Sequence, residues 1–463
     1  MAKNKIIAIV AIVIVIIVIG SVIAYEYPRI APKPAQKYEL AVYPGPSGPV
    51  NADHILGGCV LAIADTAHLS SAKMAAEEQF MAYMLSPPVQ YDCMKATGFI
   101  PISSSDISNY HVPDIYSRSN ATVTIDYYTS ISITDYKAFT QKAISNFEGL
   151  YPNIIIKPTD IAATSIVSTV EADVKAASTT PIVMSIDNLD VGILAYGGYL
   201  VNLKNVVSEV TPSNVITSIV KLTNDEANIF GGSVPFITQI INTPLVWINY
   251  SALKSAGITS MPATYKQMLQ DAKILYKKYG RGMVNMQGHG GASTATELYQ
   301  ILVQFGGNPV VFNNTGDIQG MYCLYNLSKY FSPEYKTSYW ATYKGLASNK
   351  YAVMDYQWPG SVNLTALGMK YNATGSHSIV NISLQALSEG VFIRDPVSWI
   401  SEWQVIMDSA FVKIIESGTP QNYTTIAHVL SDANAQMYSY LQSHYNNTVA
   451  KEYENGYFKP IVV

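Results

Sequence analysis

Charge is scarce in this sequence. Asp, Glu, Lys and Arg make up 13% of the 463 residues, about half the usual share. The formal net charge is -4 and no Lys/Arg cluster is present, which excludes the basic field that a nucleic-acid partner requires. Cysteine is nearly absent too, with Cys59, Cys93 and Cys323 alone. No pair has C-x-x-C spacing, and the odd count excludes full pairing; three buried thiols are favoured over one disulfide. Catalytic signatures are missing: the seven histidines are scattered, with no HExxH and no G-x-S-x-G elbow. Gly288-His289-Gly290-Gly291 lacks the GK[ST] continuation of a phosphate loop. Neither a cofactor nor a metal is expected. Paired carboxylates for glycoside hydrolysis need not be close in sequence, so a carbohydrate-active enzyme stays among the alternatives.

Apolar residues reach 49% and tyrosine occurs 34 times, so the chain can bury a core and present a surface that hydrogen-bonds without ionising. Such a surface has few carboxylates to protonate, and its stability is expected to depend little on acid. The length points to two lobes or domains. Ile6–Ala24 is uncharged and follows Lys3 and Lys5. Its length suits a membrane span of ~30 Å with the body outside, and it exceeds a usual signal-peptide apolar run. A transmembrane anchor is favoured over a cleaved signal. N-x-[S/T] sequons at Asn120, Asn249, Asn313, Asn326, Asn363, Asn372, Asn381, Asn422 and Asn446 fit an exported, glycosylated protein, although an Asn/Ser/Thr-rich chain also makes sequons by chance. Low charge, anchor and sequons together suggest an archaeal cell surface.

Residues 25–37 read as a Pro-containing linker. GGCVLAIAD reads as a strand entered through a glycine pair, and Ser71–Leu85 as an amphipathic helix with Met74, Phe80, Tyr83 and Met84 near one face. From Ala121 strands and helices alternate, which predicts α/β layering on a parallel sheet. Strands are expected at Thr122–Tyr127, Asn153–Ile156, Pro181–Ile186, Pro244–Asn249 and Tyr351–Asp355. Helices are expected at Asp135–Leu150, Ile166–Ala177, Tyr265–Tyr279, Thr294–Phe305, Trp399–Ser417 and Ile426–Tyr445.

The order of phrases from Thr122 to about Tyr371 resembles the extracellular solute-binding proteins of ABC sugar importers, the maltose-binding-protein-like type. TPIVMSIDNLDVGILAYGGYLVNLKNVV, GGSVPFITQIINTPLVWINYSALKSAGI, MPATYKQMLQDAKIL, ELYQILVQFGGNPV and LASNKYAVMDYQWPG follow one another as their counterparts do in that family. One block departs from the pattern. GGCVLAIADTAHLSSAKMAAEEQFMAYMLSPPVQ…ATGFIPISSS resembles a family segment that ordinarily follows the "GKAAM" strand; here it precedes everything. The resemblance implies a two-lobe periplasmic-binding-protein-like (type II) α/β fold with a hinge and cleft. The expected organisation is 1–24 anchor or signal, 25–37 linker, 38–118 a displaced βα block docking on lobe 2, 119–240 lobe 1 and crossover, and 241–463 lobe 2 and closing helices.

A sugar cleft needs aromatic rings for C–H faces and polar groups for hydroxyls, placed on loops at the carboxyl ends of strands. That rule selects Tyr127 and Tyr128 at one strand end, Asp187 and Asn188 at another, and Asp355 with Trp358 at a third. Trp358, before Pro-Gly, is the best stacking candidate. Trp247 fits a core or hinge position nearly as well as a ligand contact. His289 precedes a helix start and would donate to a hydroxyl. Gly57, Gly58 and Cys59 match the double-glycine turn, where backbone approaches ligand closely. Trp399 and Trp403 are read as core or cleft rim. The expected function is a membrane-tethered extracellular receptor that closes on a mono- or oligosaccharide and passes it to ABC permease subunits. The alternatives are a surface carbohydrate-active enzyme and an envelope structural or adhesion protein.

Overall fold

A computed structural model describes residues 38–47, 54–67, 69–106, 109–116, 121–131, 133–288, 291–312, 314–337, 339–348, 353–359, 362, 364, 367, 369 and 376–462. The expected anchor Ile6–Ala24, the linker 25–37, His289 and the sequons at Asn120, Asn313, Asn363 and Asn372 lie outside them. Among the described residues no helix is long and apolar enough to cross a membrane.

The strands in chain order are β1 (Tyr38–Ala41), β2 (His54–Ile55), β3 (Gly57–Ile63), β4 (Ile100–Pro101), β5 (Val123–Thr129), β6 (Ile154–Asp160), β7 (Ile182–Asp187), β8 (Ile237–Asn242), β9 (Leu245–Asn249), β10 (Val284–Asn285), β11 (Met354–Gln357), β12 (Val391–Ile393) and β13 (Ile461–Val462). They form a six-stranded sheet in the order β4-β8-β3-β7-β5-β6, a four-stranded sheet β1-β9-β11-β10, and a small sheet β13-β12-β2. Each larger sheet is the centre of one lobe. In lobe 1, β5 alternates buried and half-buried residues. One face of the sheet packs Ile125, Tyr127, Leu61 and Val183 against Phe80, Phe139 and Phe147. The other face packs Val60, Ala62, Met184 and Ile186 against Ile166, Val170 and Phe236. In lobe 2, Val246, Ile248 and Met354 face the helices Ala292–Gln304, Thr315–Ser328, Ile400–Ile415 and Tyr423–His444. Trp247 and Leu245 face a smaller cluster with Tyr38, Leu40 and Ile379.

Two expectations need correction. The lobe 1 sheet is mixed rather than parallel: β5 runs parallel to β6 and β7, but β3 is antiparallel to both β7 and β8. The block 38–118 also divides between the lobes instead of docking on lobe 2. β1 joins lobe 2 by pairing with β9, and Tyr43 and Ile55 pack in the lobe 2 core. β3, β4 and the helices Ser71–Leu85 and Pro87–Thr97 belong to lobe 1. The cause lies in GGCVLAI. A strand apolar on both faces is stable only between neighbours and under cover on both sides, and the slot between β7 and β8 offers that. β3 enters the sheet from β2 through Leu56 and runs antiparallel to both of its neighbours.

The connections between lobes are visible as changes of core. Ile55 packs in lobe 2 and Leu56 in lobe 1. β8 ends in lobe 1 at Asn242 and β9 begins in lobe 2 at Leu245. Along β12, Val391 and Ile393 face the lobe 1 core while Phe392 faces that of lobe 2. A strand of period two thus feeds both cores at once, as a hinge strand must.

Candidate functional site

A cavity of 680 Å³ lies between the lobes. Lobe 1 contributes Gly57, Gly58 and Cys59 of β3, Ser130 and Ile131 beyond β5, and Asp187, Leu189 and Asp190 at and beyond β7. Lobe 2 contributes Ser293 and Thr296 at the start of one helix, Trp358 just past β11, and Ser401 and Gln404 of another. Asn242, at the end of β8, and Arg394, just past β12, line it at the crossings. The carboxyl ends of the parallel strands β5 and β7 therefore open onto the cavity, as expected of an open α/β sheet.

At β3 the backbone itself forms the wall. Gly58 has φ +135, and a Cβ there would stand 2.1 Å from the carbonyl oxygen of Ile240. A Cβ on Gly57 would stand 2.7 Å from Trp358 Cζ3. Only glycine lets the lobe 2 indole lie so close to the lobe 1 strand. The register Cys59↔Asp187 and Cys59↔Ile240 puts this glycine pair beside the end of β7. Burial pushes the Cys59 thiol well above its usual range, which makes it an inert wall.

Beyond β7 the chain turns tightly: Leu189 N–H donates to Asp187 Oδ1 at 2.8 Å. Asp187 stays half-exposed, with 48% of its side chain accessible. Asp190 follows, and burial, with repulsion from Asp187, pushes its carboxyl up to about 7 against the opposing pull of Arg394. Arg394 is buried at 7% exposure. Its Nη1 donates to Thr296 Oγ1 at 2.7 Å and its Nη2 to Asn188 Oδ1 at 3.2 Å; Nη2 also lies 3.8 Å from Asp187 Oδ1. Burial lowers the guanidinium pKa, and Asp187 and Asp190 oppose that shift.

Gly57, Gly58, Cys59, Asp187 and Trp358 thus come together at the cavity. Asn188 stands behind it, donating from Nδ2 to the carbonyl of Leu56 at 3.3 Å. Tyr127 and Tyr128 do not line it, because β5 runs on to Thr129, past the expected end. Tyr127 points into the lobe 1 core, edge-on to Phe80 at 5.1 Å. Tyr128 points to the opposite face and donates to Asp173 Oδ2 at 2.9 Å. The loop that reaches the cavity begins at Ser130. Trp247 is buried between β1 and β11, with Nε1 donating to the Gln357 carbonyl at 3.1 Å. Asp355 is buried mid-strand, accepting from Asn285 Nδ2 at 3.1 Å and Gln357 Nε2 at 2.8 Å; burial pushes it up to about 7. Sequence reasoning missed Asp190, Arg394, Thr296 and Asn242. Of these only Asp190 carried a local signal, three residues past a chosen strand end. Trp399 and Trp403 are core residues.

The cavity offers one indole, several hydroxyls and amides, two carboxylates, the Arg394 guanidinium and a wall of glycine backbone. Among the described residues no cluster of His, Cys, Asp or Glu could hold a metal, and Cys59, Cys93 and Cys323 are free thiols.

The family profile described as "Bacterial extracellular solute-binding protein" matches residues 130–385. No curated protein is matched by sequence. Among solved structures, maltose-bound MalE3 of T. maritima is similar with a TM-score of 0.51 and 11% identity, covering 68% of this chain and 98% of that one. The cyclic alpha-maltosyl-1,6-maltose binding protein of Arthrobacter globiformis aligns with a TM-score of 0.51 and 14% identity over 72% and 100%. The GacH receptor of Streptomyces glaucescens, solved unliganded and with acarbose, aligns with a TM-score of 0.50 and 12% identity over 69% and 99%. At these identities the likeness is one of fold.

Proposed function

Because the chain belongs to the bacterial extracellular solute-binding proteins, a family of receptors rather than enzymes, we propose that it captures a mono- or oligosaccharide for an ABC importer. The observation that carries this reading is the interlobe cavity, where the Trp358 indole lies against the Gly57–Gly58 backbone beside Asp187. An aromatic face suits the C–H face of a sugar ring, and a half-exposed carboxylate accepts from two hydroxyls. Three solved structures of the same fold carry sugar or sugar-like ligands in their names. Ligand would bridge the lobes and bias a hinge running through Leu56, Asn242–Leu245 and β12. Ile6–Ala24 would tether the body to the membrane, beside the permease that receives the sugar. Of the sequons, Asn381, Asn422 and Asn446 are exposed and suit glycans. Asn249 does not, because it is only 5% exposed.

A thermal-shift and calorimetric screen of the body Tyr38–Val463 against mono- and oligosaccharides and peptides tests the reading. A sugar-selective rise in melting temperature is expected, since binding to the native state stabilises it. A flat response to all sugars overturns it.

A further inference from the structure

We propose that Arg394 is an interlobe clasp, a positioning residue that sets how far apart the lobes stand before any ligand binds. The guanidinium is a rigid planar fork, so its donors fix the relative position of whatever they bind. Here one donor holds Asn188 Oδ1, at the end of β7 in lobe 1, and another holds Thr296 Oγ1, on the helix Ala292–Gln304 of lobe 2. One acceptor follows a lobe 1 strand and the other sits on a lobe 2 helix.

The two halves of the clasp are not equivalent. Arg394 directly follows β12, whose residues feed both cores. Asn188 is itself tied to the hinge: its Nδ2 donates to Leu56 O and its backbone N–H to Gly58 O at 3.1 Å. The Arg394–Asn188 half therefore lies within the hinge and moves with it. Thr296 is carried by a helix of the lobe 2 core, so the 2.7 Å contact to Nη1 is the one that separation of the lobes breaks. A buried guanidinium is stabilised by each charge-assisted bond it keeps. Breaking the Thr296 half costs that bond, and the closed arrangement is favoured accordingly. The clasp also holds Asp187 and Asn188 in register with the lobe 2 side of the cavity, so the ligand meets a preset width.

The test reads the interlobe distance in the full chain without ligand, so that its failure is separate from failure of the sugar reading. Nitroxide labels are placed at Leu150→Cys in lobe 1 and Val405→Cys in lobe 2, both exposed, in a chain bearing Cys323→Ser. Pulsed electron resonance is expected to give a single narrow distance for the otherwise unaltered chain. Thr296→Val is close in volume and removes the hydroxyl that accepts from Nη1; it is expected to lengthen and broaden the distribution. Arg394→Met is expected to do the same more strongly, and Arg394→Lys, which keeps the charge but not the fork, to fall between. A Thr296→Val distribution that superimposes on the parent overturns the clasp, even where Arg394→Met fails to fold.

Discussion

Glu226 lies in the helix Thr217–Ile229 with 4% exposure, and its Oε2 is buried without a hydrogen-bond partner. Burial, with a smaller push from Asp225, raises its carboxyl from 4.5 to about 8. The unfolded chain releases this proton above about 4.5, while the folded chain keeps it up to about 8. Between those values the native state binds more protons, so stability falls as pH rises. The contribution is complete below pH 4.5 and gone above pH 8. At 1.36 kcal/mol per pH unit the interval corresponds to about 5 kcal/mol, an upper limit because an ionised carboxylate recruits water and neighbours relax. Glu226→Gln keeps the shape and removes the titration. Urea unfolding at pH 4.5, 6 and 8 is the assay. The parent should lose several kcal/mol more than the variant between pH 4.5 and 8, and parallel curves would refute the argument. Asp190, Asp355 and Asp395, each pushed up to about 7 mainly by burial, act with the same sign. The sparse surface charge predicts stability that is flat toward acid; the buried carboxyls predict that it rises.

Three further outcomes are expected. Trp358→Ala should weaken binding of whichever sugar gives the thermal shift by roughly tenfold, about 1.4 kcal/mol, with little loss of stability because the ring is only partly buried; an unchanged Kd by calorimetry would remove the indole from the site. Gly58→Ala should destabilise by roughly 3 kcal/mol or more, through the clash with Ile240 O. Gly198→Ala, at φ +71 in open space, should cost only about 1 kcal/mol; equal urea midpoints for the two would contradict the close approach of β3 to β8. Cys59 and Cys93 should resist aromatic disulfide reagents at pH 8 until urea is added, because burial raises the first thiol well above its usual range and the second to about 12; rapid native labelling of both would show that they are accessible.

Helix ends were the legible part of the sequence, where side chains cap them. Ser70 accepts from Lys73 N–H ahead of Ser71–Leu85, and Thr264 with Gln267 forms a capping box before Tyr265–Tyr279, which Gly280 ends in the left-handed conformation. Both helices have the expected bounds. The ends of β5 and β11 carry no such marker. β5 continues to Thr129 and β11 starts only at Met354 and runs to Gln357. Shifts of two residues decide the site: they bury Tyr127 and Asp355 and leave Ser130 and Trp358 as the first residues beyond their strands. Met74 shows the same limit on a helix, since it shares the expected apolar face yet is 43% exposed. Arg394 lay beyond reach for a different reason. Its partners Thr296 and Asn188 are 98 and 206 residues away in the chain, and no local pattern joins them.

The block 38–118 shows how the packing of a single strand shapes the cleft. GGCVLAI is apolar on both faces, so its burial requires a central slot whatever its place in the chain. The slot beside β7 also fixes register: with Cys59 opposite Asp187 and, across the strand, Ile240, the glycine pair falls at the cavity end of the sheet. A slip of one residue would turn Val60 and Ala62 out of one core and Cys59 and Leu61 out of the other. The packing that holds β3 in the sheet is therefore the same packing that sets Gly57 against Trp358.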